Sequence, residues 1–226
     1  MKPNFHRCEV LATELLITSD VHQFPIDVRK LNYKQNLIID SMQNYAALTN
    51  IDVNELTRNG HYNDAFIIKR KDISIILYNE KTHSDERSYW NLGHEVGHAI
   101  LGHTNDGPRE EVEAHFFASH LFMPDPIIHE LLVRGTAITE KFLIKTFGVS
   151  EQAATKKIET IRKTPWKLEE GYQFYYKDIL LLKFNDFINR IAPKIEDDIP
   201  PENDLYSFGP RYYNPFFRRR RRYYDT

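Results

Sequence analysis

Apolar residues recur at helical spacing from Val10 to Leu16 and again from Asn36 to Leu48, where Leu37, Met42, Tyr45 and Ala46 share a face, so the pattern predicts two amphipathic helices separated at Pro25. Ala65 to Arg70 and Ile73 to Tyr78 are rich in isoleucine and aromatics, with Lys71-Asp72 between them, which predicts a β-hairpin. A polar loop follows from Asn79 to Glu86, and then a helix over Ser88 to Leu101 with Gly102 as its terminator. Asp106-Gly107-Pro108 signals a turn into a second helix, Arg109 to Phe122, stopped by Pro124 and Pro126. Further helices are predicted over Ile127 to Arg134 and Thr139 to Ile161, the latter broken at Phe147-Gly148-Val149-Ser150, where Ser150 caps a new start. Beyond Pro165 the pattern weakens. Tyr172 to Ile191 reads as a strand or helix packing back, and Ile195 to Thr226 as a flexible tail carrying an acidic cluster, prolines and an arginine run. The expectation is an α+β fold: a mostly helical core over residues 1–126 with a small β-sheet or hairpin preceding the helix at 88, a helical segment at 127–164, an extension at 165–194 and the tail at 195–226.

Composition narrows this. The chain has 226 residues, 41% apolar and 13% aromatic, enough to bury a sizeable core, and its net charge of -2 leaves any nucleic-acid argument to local charge. The single cysteine, Cys8, makes no internal disulfide, suits a reducing compartment, and removes zinc sites built from two cysteines of one chain. The first residues mix Lys2, His6, Arg7, Glu9 and Glu14 with no apolar stretch of a secretory leader behind them, and no run reaches the ~18 to 20 apolar residues that span a bilayer. The expectation is a soluble cytoplasmic protein with no membrane partner.

The chemistry lies in His94-Glu95-Val96-Gly97-His98. On a helix, positions 94 and 98 are one turn apart and present both imidazoles to one metal ion, while Glu95, rotated by about 100° from His94, stands beside it as a general base. Apolar Leu92, Val96, Ala99, Ile100 and Leu101 make the segment a buried helix, which is the setting such a pentapeptide needs. A third ligand ten residues after His94 is missing, because Thr104 stands there; His103 falls one place short and reads first as a polar helix-end residue. The better candidates are Glu110, Glu111 and Glu113 on the next helix. Glu111 shares a stripe with Ala114, Ala118 and Leu121, the small-residue face able to approach the first helix, whereas Glu113 lies about 200° away with Phe117 and His120. Glu111 ranks first, Glu113 second and Glu110 third.

Glu86-Arg87 ahead of the pentapeptide, followed by Glu111-x-x-Ala114-His115-x-Phe117-Ala118-x-x-Leu121-x-Met123-Pro124, resembles the ImmA/IrrE family of metallopeptidases over roughly Val10 to Arg162. The resemblance implies a zincin-like core, Zn2+ held by His94, His98 and Glu111 as in other gluzincin-type enzymes, and Glu95 as general base. It also implies a protein regulator as substrate, such as a repressor controlling a phage, a mobile element or a stress response. The family usually has Asn or Asp at position 115, where this chain has His115, which can still orient a ligand through one ring nitrogen.

Arg87 and Tyr89, upstream of the motif, are candidates for substrate contact, with a surface ion pair to Glu86 or Glu110 an equal reading of Arg87. His120, and His83 in the polar loop, read as packed or surface histidines rather than ligands. Leu143 to Ile161 has a helix-turn-helix pattern, but Lys156 and Lys157 stand against Glu151 and Glu159, favouring a plain helical hairpin. Arg218 to Arg222, between Phe216-Phe217 and Tyr223-Tyr224, is a candidate nucleic-acid contact. The leading expectation is a zinc endopeptidase whose peptide binds as an added strand at a hairpin edge near Ile73 to Tyr78. The rival is a regulatory protein-binding or DNA-binding factor with a non-catalytic zinc site.

Overall fold

The computed structural model describes residues 2–33, 37–57, 64–71, 73–81, 86–105, 107–164, 174 and 176–193. The tail from 195 with Arg218–Arg222, residues 165–173, His83 and the side chain of Arg87 lie outside the described residues. Among the described residues the chain is mostly helical with one three-stranded sheet, an α+β fold.

Helix α1, Phe5–Thr18, starts earlier than its apolar pattern because the Asn4 side chain accepts the Arg7 N–H at 3.1 Å and caps it. The second predicted helix is corrected by the structure. Leu37–Ser41 is strand β1, and only Met42–Thr49 is helix α2, capped by the Ser41 hydroxyl and closed by Asn50 at φ 54. The adjacent β-branched pair Ile38-Ile39 favours the pleated surface, and Ser41 starts the helix after it. Val53–Leu56 forms a single turn, α3.

The hairpin forms as expected. Strand β2, Ala65–Lys69, pairs antiparallel with β3, Ser74–Tyr78, from Ala65↔Tyr78 to Lys69↔Ser74. On its other side β3 pairs parallel with β1, from Leu37↔Ser74 to Ser41↔Tyr78. The order is therefore β1-β3-β2, and the reading of Ile73 to Tyr78 as an open edge is wrong: both sides of β3 are occupied, and among the described residues the edges belong to β1 and β2.

Against this sheet packs α4, Glu86–Ile100, and α5, Pro108–Phe122, lies between α4 and α1. Glycines on α4 permit the close approach: a Cβ at Gly93 would stand 2.3 Å from the Phe122 ring, and one at Gly97 would stand 3.1 Å from the Ala114 carbonyl oxygen. The chain continues through α6, Asp125–Val133, α7, Glu140–Phe147, α8, Glu151–Lys163, α9, Lys177–Lys183, and α10, Asn185–Ile191. One apolar cluster runs from Cys8 on α1 through Phe117 and Leu121 on α5 to Phe184 and Ile188. Within it Phe24 packs on Phe147, Phe184 and Phe187 with ring centroids 5.1, 5.0 and 5.4 Å away.

Gly148 at φ 65 and the Ser150 cap separate α7 from α8 as their sequence predicts. Lys157 of α8 is buried, with its ammonium 2.6 Å from Asp125, whose other oxygen faces His120 Nε2 at 2.9 Å. One of the two cations on which a DNA-reading face would depend is thus turned into the core, which favours the plain helical hairpin. Of the two readings of His120, packed or surface, the structure shows the packed one.

Candidate metal centre

Helix α4 is pinned by Leu92 and Val96, both fully buried, which leaves His94 and His98 on the face toward α5. Their Nε2 atoms are 3.1 Å apart. From α5, Glu111 brings one carboxylate oxygen to 3.2 Å from His94 Nε2 and the other to 3.4 Å from His98 Nε2. Zinc bonds to nitrogen and oxygen of about 2.0–2.1 Å place tetrahedral ligand atoms roughly 3.3–3.4 Å apart, so both the donor set and its spacing fit such an ion. Burial, and then the neighbouring His94, hold the His98 imidazole well below its usual pKa, in the neutral form that ligates.

His115, one turn beyond Glu111, reaches the same place. Its ring centroid is 4.2 Å from that of His94, and ligand atoms of His94, Glu111 and His115 lie within 4.8 Å of one another. It is exposed on α5, at the open side of the cluster. Glu95 is half-buried beside His94. Tyr89 packs on Phe122 with ring centroids 5.2 Å apart, and burial raises its phenol pKa. Glu110 faces Arg109 at 3.7 Å.

Two candidates from the ligand ranking sit behind the trio. His103 is 5% exposed, with Nδ1 3.1 Å from His98 Nδ1 and Nε2 3.0 Å from a Glu113 oxygen. Glu113 is 1% exposed; its other oxygen accepts the Asn4 N–H at 2.7 Å and Arg109 Nε at 3.2 Å. Burial works to raise the Glu113 pKa, but the Asn4 N–H, His103 and Arg109 together hold it below the usual carboxylate range.

Sequence reasoning missed this contact, though its signal was present. Gly102 adopts φ +67, the Gly102 N–H donates to Ala99 O at 3.1 Å and the His103 N–H to His98 O at 3.0 Å. This is the Schellman helix ending, in which the residue after the glycine folds back on the one five places earlier. Here those residues are His103 and His98. Lys69 of β2 also donates to the His103 carbonyl, tying the sheet to the same turn.

A family model of the IrrE N-terminal-like domain, Peptidase M78, matches residues 46–159, which include α4, α5 and every residue placed at the metal centre. No curated protein and no solved structure matches the chain. The chain belongs to the Peptidase M78 family, and a metallopeptidase-type function follows from that membership.

Proposed function

We propose that this chain is a zinc-dependent endopeptidase that cleaves a protein regulator. The observation that carries the reading is the convergence of two imidazole nitrogens and one carboxylate at 3.1, 3.2 and 3.4 Å, on a helix where Glu95 directly follows His94. His94, His98 and Glu111 hold the ion. Zinc held by three protein ligands acts as a Lewis acid and lowers the pKa of a water in its fourth position to ~7.

Glu95 takes the proton from the attacking water and delivers it to the leaving amine nitrogen as the C–N bond breaks and the water oxygen bonds to the carbonyl carbon. His115, exposed beside His94, serves as donor to the oxygen on which negative charge develops. The peptide binds as an added strand on β2, because α4 packs against β2, Asn91 of α4 donates to Asp64 at the entrance of β2 at 2.8 Å, and Lys69 at its far end donates to the His103 carbonyl.

A regulator as substrate, such as a phage, mobile-element or stress-response repressor, is supported by the likeness of the two motif blocks to ImmA/IrrE peptidases, and a cytoplasmic site by the lone Cys8. The test compares wild type with Glu95→Gln for bound zinc and for new termini in a peptide library read by mass spectrometry. Equal zinc with at least a ~100-fold loss of cleavage supports the reading. Equal cleavage by both contradicts it.

A further inference from the structure

We propose that His103 and Glu113 are positioning residues that fix the proton on Nδ1 of His98 and thereby strengthen its hold on the metal. The inference rests on the zinc reading above and adds to it a path that begins outside the ligand set.

An imidazole that ligates through Nε2 carries its proton on Nδ1. His98 Nδ1 lies 3.1 Å from His103 Nδ1, so of these two nitrogens one donates and the other accepts. A carboxylate only accepts, and Glu113 Oε2 lies 3.0 Å from His103 Nε2, which therefore carries the His103 proton. His103 Nδ1 is left as an acceptor, and His98 Nδ1–H must donate to it. The opposite assignment fails twice. It would face a bare His103 Nε2 with a carboxylate oxygen, and it would put the His98 proton on the nitrogen that must hold the ion.

The far end of the chain of bonds is equally constrained. Glu113 Oε1 accepts from the Asn4 backbone and from Arg109, and the side chains of His103 and Glu113 are 3% and 2% exposed, so water does not compete for them. A buried carboxylate and imidazole are costly unless paired, and each here has its partner. Asn4 caps α1, outside the family match at 46–159, so the N-terminal helix of this chain buttresses the metal site through Glu113. The geometry also reassigns the two runner-up ligands: they orient a ligand without joining it.

Three substitutions separate the relay from packing. His103→Asn keeps an acceptor near the Nδ1 position, His103→Gln keeps a donor near the Nε2 position, and His103→Phe keeps only bulk. Zinc affinity is read by competition with a chromophoric chelator, ligand geometry by the visible spectrum of the Co2+ form, and folding by circular dichroism. The expected loss of zinc affinity is about 10–100-fold for His103→Phe, with an altered cobalt spectrum, and His103→Asn binds zinc more tightly than His103→Gln. Should His103→Phe fail to fold, the comparison of Asn with Gln decides. Wild-type affinity and spectrum in the folded variants, or a His103→Asn no tighter than His103→Gln, overturn the relay. A wild type that binds no zinc, or a His98→Ala that binds it unchanged, overturns the underlying zinc reading instead.

Discussion

A Cβ on Gly97 would stand 3.1 Å from the carbonyl oxygen of Ala114 and 3.2 Å from its Cα, so α4 and α5 meet backbone to backbone inside the His94–His98 pentapeptide itself. Glu111 is three residues before Ala114 on α5, and its reach toward His94 and His98 is set by this approach. The added methyl of Gly97→Ala meets main chain that cannot swing aside. Overpacking of about 1–3 kcal/mol outweighs a helix-propensity gain of at most ~1 kcal/mol. The variant should unfold at lower temperature and bind zinc more weakly, as checked by thermal unfolding and zinc titration.

Gly102 tests the turn that returns His103 to His98. Nothing lies within 4 Å of a Cβ built there, so the cost of Gly102→Ala is the φ of +67 alone, about 1–2 kcal/mol. Gly102→Asn should cost less, since asparagine tolerates this region. Urea unfolding of both variants checks the order.

Lys157, Asp125 and His120 join α8, α6 and α5 in one buried cluster. Burial works to raise the Asp125 carboxyl, but Lys157 and then His120 hold it well below the usual range. A pKa depressed in the folded state contributes stability that is full above the unfolded value of ~3.9 and is lost as pH falls toward the folded value. Unfolding free energy should therefore decline below about pH 4, and less so in Asp125→Asn. Lys157→Met, which takes the ammonium from the buried carboxylate and leaves it the His120 imidazole, should cost up to about 3–5 kcal/mol near neutral pH, measured by urea unfolding.

Cys8 is fully buried on α1, and burial, followed by Glu113, pushes its thiol up to about 12. A thiol-specific reagent should leave it untouched in the native protein and titrate one thiol per chain in denaturant.

Legibility in the sequence followed the physics of each feature. The helices α4, α5, α7 and α8 were readable because local signals agree: Gly102, Pro108, Pro124, Thr139 and Ser150 each sit at a boundary. The convergence of His94, His98 and Glu111 was readable from helical phase, since the alanine stripe carrying Glu111 is the face that meets Gly97. Strand β1 was not, because five residues of Leu-Ile-Ile-Asp-Ser satisfy a short helical pattern, and only the parallel pairing with β3 decides their state. That same pairing moved the open edge from β3 to β2, a matter of strand order that hairpin periodicity does not encode. Glu113 was ranked by its angle around α5, and the partner awaiting it, α1, comes from more than a hundred residues earlier.

Metal content separates the ligand set His94, His98 and Glu111 from its alternatives. Zinc per chain should be one in wild type and in Glu95→Gln, and His94→Ala, His98→Ala and Glu111→Ala should each lose it while remaining folded. Glu113→Ala should retain zinc at weakened affinity, since it acts only through His103. Zinc that survives Glu111→Ala but disappears in Glu113→Ala would contradict the ligand set, and with it the mechanism built on that set.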